Sequence, residues 1–298
     1  MDQRIVIYRE AQRQAQIQRT ALYGSLYEDR ISKKTDINYR GDGNDRHTLD
    51  VFSPKSDEVL PVIVELHGGG YIANTKESTS VHAKYFATKG FHVVNGDYTL
   101  CPEADFAQEL QEIADIFRWI YENREEYRFD IDRVYLMGDS AGGHLVLLYA
   151  MMQGSERMQR FFNVTMPPVK IKAAAPICPA FQFRYDPELL PNEGMNYILS
   201  LVFPDGVPDG LADMLDITVL APESDFPPLH IVTTPQDDLL YNCDLRLKEA
   251  LEKTGKEVEF DICVKKTHEL SHVFNVLFTE WEESIDANEK IMEFFLKH

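Results

Sequence analysis

Ser140 stands within Gly138-Asp139-Ser140-Ala141-Gly142-Gly143, directly after the apolar run Arg133 to Met137 and directly before the helix-leaning stretch His144 to Met152. Small residues on both sides permit a sharp strand-to-helix turn, and a hydroxyl on such a turn projects from the top of a sheet beside a helix N-terminus. A serine flanked by glycines also occurs in plain turns; the strand before it and the helix after it favour a nucleophile here. The chemistry to expect is acyl transfer, which passes through a tetrahedral oxyanion. Further upstream, His67-Gly68-Gly69-Gly70 follows the run Pro61 to Leu66. Glycines let the backbone approach that oxyanion closely, so the amides of Gly69 or Gly70, together with that of Ala141, are its candidate donors. His67 is expected to shape this loop rather than to act as a base. Asp139 and Glu103, acids close to the motifs, are expected to be scaffolding.

Positioning these groups requires several strands that end on one edge. Pro61 to Leu66, Phe91 to Asn95 and Arg133 to Met137 each read as a buried strand. Between the second and third, Leu110, Ile113, Ala114, Phe117, Ile120 and Tyr121 recur at helical spacing opposite a polar face. The alternation resumes with strands at Lys170 to Ile177, Leu229 to Thr233 and Val258 to Val264, a helix near Asp244 to Lys253, and a last helix with Trp281, Ile285, Met292 and Phe295 on one stripe. Strands alternating with helices of this length imply an α/β fold with a mostly parallel sheet covered on both faces, in one domain over residues 1–298. Two stretches break the pattern: residues 1–30, polar and helix-leaning, and the Pro-, Asp- and Leu-rich segment 180–225, too long for a simple connection. Both are candidate cap elements over a site.

Composition narrows the partners. The 298 residues carry 30 Lys and Arg against 49 Asp and Glu, a formal charge of −19, which argues against a nucleic-acid partner because phosphate binding needs a concentrated positive surface. No run is long and apolar enough for a membrane span, and the first twenty residues lack the apolar core of a signal peptide, so a soluble cytoplasmic protein is expected. Cys101, Cys178, Cys243 and Cys263 form no CxxC pair, and the histidines form no HExxH or other metal spacing. The cysteines are expected to be reduced, mostly buried thiols. No cofactor and no metal is called for.

The motifs HGGGY (67–71), DYTLCPE (97–103), GDSAGG (138–143), QDDLL (236–240) and SHVF (271–274) resemble those of the hormone-sensitive-lipase-like branch of the α/β-hydrolase fold, which includes many bacterial acetyl esterases and short-chain carboxylesterases. The resemblance runs from about Thr48 to the C-terminus. Family members usually read closer to DYRLAPE and HGF, so Thr99, Cys101 and Val273 are departures. The resemblance implies Ser140 as nucleophile, Asp237 as triad acid and His272 as base, in the chain order of that fold. The residues agree: serine needs an imidazole to take its proton and return it to the leaving group, and the imidazole needs a carboxylate to fix its tautomer. Asp237 and His272 each follow a strand, placing them with Ser140 at the strands' carboxyl ends, where such sheets build sites. His268 competes with His272 for the base. Asp238 is expected to cap the helix beginning at Leu239 rather than to reach the imidazole.

The resemblance implies hydrolysis of short-chain, acetyl-type carboxylic esters through an acyl-enzyme, with a small-molecule ester as the partner. An amidase or formamidase on the same fold is the alternative, separable by rates on matched esters and amides. A non-catalytic small-molecule receptor on a hydrolase scaffold is a remoter one, to be expected where a triad member is missing.

Overall fold

The computed structural model describes residues 2–179, 182–183, 193–208 and 210–298. The apolar runs fold as the inner strands of one eight-stranded sheet in the order β1-β2-β4-β3-β5-β6-β7-β8. These are β1 (Ile31–Asn38), β2 (Thr48–Pro54), β3 (Leu60–Leu66), β4 (His92–Gly96), β5 (Phe129–Asp139), β6 (Ile171–Ile177), β7 (Leu229–Thr233) and β8 (Val258–Ile262). From β4 through β8 every pairing is parallel, while β1 on β2 and β2 on β4 are antiparallel. The inner strands read as continuous apolar runs because both their faces are covered. On β3, Val62, Val64 and Leu66 enter one core and Ile63 the other, the period of two that a strand imposes.

Eleven helices accompany the sheet among the described residues. The first five are α1 (Gln3–Tyr23), α2 (Ser80–Ala87), α3 (Phe106–Tyr127), α4 (Ala141–Met152) and α5 (Glu156–Phe162). They are followed by α6 (Glu193–Val202), α7 (Leu211–Leu215), α8 (Ile217–Leu220), α9 (Tyr241–Glu252), α10 (Phe274–Leu277) and α11 (Glu282–Lys297). Side chains of α3, α4 and α9 fill one core, where Ile113, Phe117, Leu145 and Leu247 meet Val62, Val134 and Ile231. On the opposite face α2 and α11 bring Phe86, Ile291 and Phe295 against Ile63, Tyr135 and Val232. All twelve residues of α4 are buried, as its apolar composition requires: one side lies on the sheet and the other under α8 and its neighbours. No described helix is long and apolar enough to cross a membrane.

Residues 180–181, 184–192 and 209 of the segment at 180–225 lie outside the described residues; its described part contributes α6, α7 and α8. The polar N-terminal segment forms a 21-residue helix whose N-cap, Asp2, accepts the Arg4 amide at 2.9 Å. Arg9 pins that helix to the body through Glu103 (2.7 and 2.8 Å) and the carbonyls of Ile72 and Cys101. Glu103 is thus a scaffold residue that holds the first helix.

Candidate active site

β3 and β5 lie side by side with Leu66 opposite Gly138, so the loops that leave their carboxyl ends are adjacent. The first carries His67 to Tyr71 and the second carries Ser140. Ser140 adopts φ +53° and ψ −121°, a left-handed conformation that a non-glycine residue enters only under strain. Its amide donates to the Ile177 carbonyl at 2.8 Å, and its own carbonyl accepts from the His144 amide in the first turn of α4. The turn is this tight because Gly142 passes against the end of β3. A Cβ at Gly142 would collide with the carbonyl oxygens of Leu66 and His67.

The turn and the first loop are tied together twice. The Gly68 amide donates to Asp139 Oδ1 at 2.9 Å. Burial pushes the Asp139 carboxyl up, against the pull of that amide. The Tyr71 hydroxyl donates to His144 Nδ1 at 2.9 Å, and His144 Nε2 donates to the Leu215 carbonyl at 2.8 Å. Burial pulls His144 down to about 4, so it stays neutral and keeps this tautomer near neutral pH. His67 is buried, donates through Nδ1 to the Gly68 carbonyl at 2.8 Å and stacks on Tyr98, which makes it part of the loop's frame. Gly69 sits at φ +118° with no room for a Cβ beside the Ala73 carbonyl. The amides of Gly69, Gly70 and Ala141 donate to no acceptor among the described residues. Gly69 and Gly70 line the pocket that holds Ser140, and Ala141 opens α4 next to it.

Asp237 and His272 follow β7 and β8 and meet Ser140 at the same edge. The Ser140 hydroxyl donates to His272 Nε2 at 2.9 Å, and His272 Nδ1 donates to Asp237 Oδ2 at 2.7 Å. The other Asp237 oxygen accepts the Leu239 and Leu240 amides at 2.9 and 3.1 Å. Burial raises the Asp237 carboxyl, but the bonds to His272 and to these amides outweigh it and hold the group below the ordinary carboxylate value. Burial likewise lowers His272, yet the hydrogen bond and charge of Asp237, with Asp139 and Asp244 behind it, hold the imidazole above its ordinary value. The His272 side chain is 25% exposed, Ser140 8% and the Asp237 side chain fully buried, so the chain of bonds runs from the core to the pocket.

The helix after Asp238 differs from the expectation. Its N-cap is Leu240, without a side-chain cap, and the amides just ahead of it bond to Asp237. Asp238 is exposed. Asp237 wins because its buried oxygen already lies against the turn. His268 is also accounted for: its amide and Nδ1 both bond to Glu283 at 2.9 Å and its ring stacks on Trp281, away from the serine. Cys101, Cys178, Cys243 and Cys263 are all free thiols, the first three buried. Cys178 lies beside Asp237 and His272, and burial pushes its thiol well up, so it offers no thiolate near neutral pH.

The pocket over Ser140 has a volume of about 380 Å³. The sequence offers residues 1–30 as a candidate cap without singling out the side chains that line the pocket. Tyr8, Gln12, Ala15 and Arg19 from α1 line it, and their spacing of four, three and four residues is the signal that puts them on one helix face. Ile198 of α6 closes another side.

A mostly parallel sheet with a strained serine turn after its fifth strand is the architecture of the α/β-hydrolases. The BD-FAE family model matches residues 49–182. An esterase of Gibberella moniliformis is 28% identical over 62% of this chain and 59% of its own length. Human hormone-sensitive lipase is 35% identical over 30% of this chain and 8% of its own. This chain therefore spans less than two thirds of the length of these curated relatives. Among solved structures, esterase B of Lactobacillus rhamnosis aligns with a TM-score of 0.87 and 25% identity over 97% of this chain and 93% of that one. That protein has also been solved inhibited with a tributyrin phosphonate. The chain thus has the α/β-hydrolase fold and is similar in sequence to hormone-sensitive lipase and to esterases.

Proposed function

We propose that this protein is a serine hydrolase that cleaves short-chain carboxylic esters through an acyl-enzyme on Ser140. The observation that carries the reading is the continuous chain Asp237, His272, Ser140 at 2.7 and 2.9 Å, opening into a pocket lined by Gly69 and Gly70. In this reading the Ser140 oxygen attacks the ester carbonyl carbon as its proton passes to His272 Nε2. Asp237, held ionised by the three hydrogen bonds it accepts, stabilises the imidazolium and fixes its tautomer. The amides of Gly69, Gly70 and Ala141 receive the oxyanion, each such donor being worth about 2.7–4 kcal/mol in the transition state. The imidazolium then gives its proton to the departing alkoxide, and the tetrahedral intermediate collapses to the acyl-enzyme. Water, deprotonated by His272, releases the acid and restores the serine. No cofactor enters any step.

We assign short acyl groups, acetyl to butyryl, from the family resemblance; the pocket of about 380 Å³, lined in part by α1 and α6, has room for them. The similarity to an esterase that a tributyrin phosphonate inhibits supports the same reading. We read residues 1–298 as one domain with α1 and the 180–225 segment as its cap, and a cytoplasmic protein whose partner is a small ester. The test is hydrolysis of p-nitrophenyl esters of increasing chain length by the full chain and by Ser140→Ala. The reading expects a maximum at four or fewer acyl carbons and loss of turnover in the variant. A maximum at ten or more carbons contradicts the acyl range, and half the turnover surviving in the variant contradicts the mechanism.

A further inference from the structure

Arg19 is a cation inside the pocket that the ester chemistry above does not use. It lies on the same face of α1 as Tyr8, Gln12 and Ala15 and lines the same space as Ser140 and His272. Its hydrogen bond runs from Nη2 to the Ser78 carbonyl at 2.9 Å, and no carboxylate oxygen among the described residues lies within 4.0 Å of it. The other arginines of this region are satisfied differently: Arg9 grips Glu103 with two nitrogens and Arg40 grips Asp115. A guanidinium offers five N–H donors in a planar fork that matches a carboxylate. Asp139 is the one carboxylate among the described residues that line the pocket, yet its Oδ1 accepts from the Gly68 amide and it forms no ion pair with Arg19. Burial pulls Arg19 below its ordinary value and the Asp139 charge only opposes this, so the cation is held at a desolvation cost that no internal partner fully offsets. Ile198, Leu239, Val273, Val276 and Leu277 form an apolar part of the wall that suits the neutral part of a substrate. A protein of charge −19 does not attract anions from a distance, so this cation acts at short range.

We propose that Arg19 is a specificity-determining residue that selects esters bearing a second, anionic group, a carboxylate set off from the ester that is cleaved. The inference rests on the hydrolase reading above and names its substrate class. The experiment compares kcat/KM on matched pairs. One pair is the succinate half-ester of p-nitrophenol and its methyl-capped neutral counterpart. The other is the acetyl ester of a short hydroxy acid and its methyl ester. The two pairs place the carboxylate on the acyl and on the alcohol side. Wild-type protein should favour the anionic member of one pair, which identifies the side. In Arg19→Gln that preference should fall roughly ten- to a hundredfold, mainly through KM, the scale of a lost charge-assisted hydrogen bond. Arg19→Lys should recover part of it, keeping the charge but not the fork. Wild-type preference for the neutral member in both pairs overturns the inference without any variant, as does an equal loss on both members in Arg19→Gln. If the hydrolase reading itself fails, neither member is turned over and a fluorophosphonate leaves Ser140 unlabelled, an outcome that removes the inference with it.

Discussion

Replacing Asp237 by asparagine turns one carboxylate into a group with one acceptor and one donor end, and the structure dictates which end goes where. One oxygen accepts two backbone amides, Leu239 and Leu240, while the other accepts the single Nδ1 proton of His272. Turning the amide nitrogen toward the backbone would set it against two N–H donors, at about 1–3 kcal/mol for each one left unsatisfied in a buried site. The asparagine therefore keeps its oxygen on the turn and points its nitrogen at His272. Facing a donor, the imidazole shifts its proton to Nε2, where it can no longer accept the proton of Ser140. Turnover should fall by about four decades, roughly 5 kcal/mol of barrier, as when the orienting aspartate of chymotrypsin-type proteases is lost. Folding should lose only about 1 kcal/mol, since a charge-assisted bond is replaced by a neutral one and the turn is untouched. The assay is kcat on p-nitrophenyl acetate together with the melting temperature, with Asp238→Asn, an exposed neighbour, expected within threefold of wild type. A loss under tenfold at Asp237, or a larger loss at Asp238, would refute the reasoning.

His272→Ala should remove activity, whereas His268→Ala should retain most of it, because His268 is bound to Glu283 rather than to the serine; the reverse ranking of turnover would move the base. The base must be neutral to act, and Asp237 holds His272 above the ordinary 6.5, so kcat/KM should fall as pH drops with its midpoint above about 6.5; a midpoint below 6 counts against this. Gly142→Ala would force the serine turn away from the Leu66 and His67 carbonyls. It should cost about 1–3 kcal/mol of stability in a denaturant titration and roughly a hundredfold in kcat; wild-type values for both would show that the close approach is not needed.

Much of this architecture is legible in the sequence, for physical reasons that differ by element. β3, β5, β6 and β7 are covered on both faces, so each is a short apolar run, and the motifs that follow them must reach one edge of a parallel sheet. β1 escapes because it lies at the edge: between Ile31 and Ile37 its side chains, Ser32 to Asp36, face solvent and show no apolar pattern. β2, although largely buried, is interrupted by Asp50, whose partner Lys76 lies far along the chain. The candidate site divides in the same way. The strand-to-helix context of Ser140 is local, while the second task of Asp237, accepting two amides of its own turn, depends on side-chain direction. The pocket face of α1 depends on where the whole helix docks, which Arg9 and its partners settle through Glu103 and two carbonyls.

The central claim is a covalent step on one oxygen, and intact-protein mass spectrometry of the chain quenched during turnover of p-nitrophenyl acetate measures it most directly. The account predicts that wild-type protein gains the mass of one acetyl group, that peptide mapping places it on Ser140, and that His272→Ala, lacking the base for attack and deacylation, accumulates far less in the same time. Turnover with an acetyl group on another residue, or none on Ser140 when release is slowed at low pH, would contradict it.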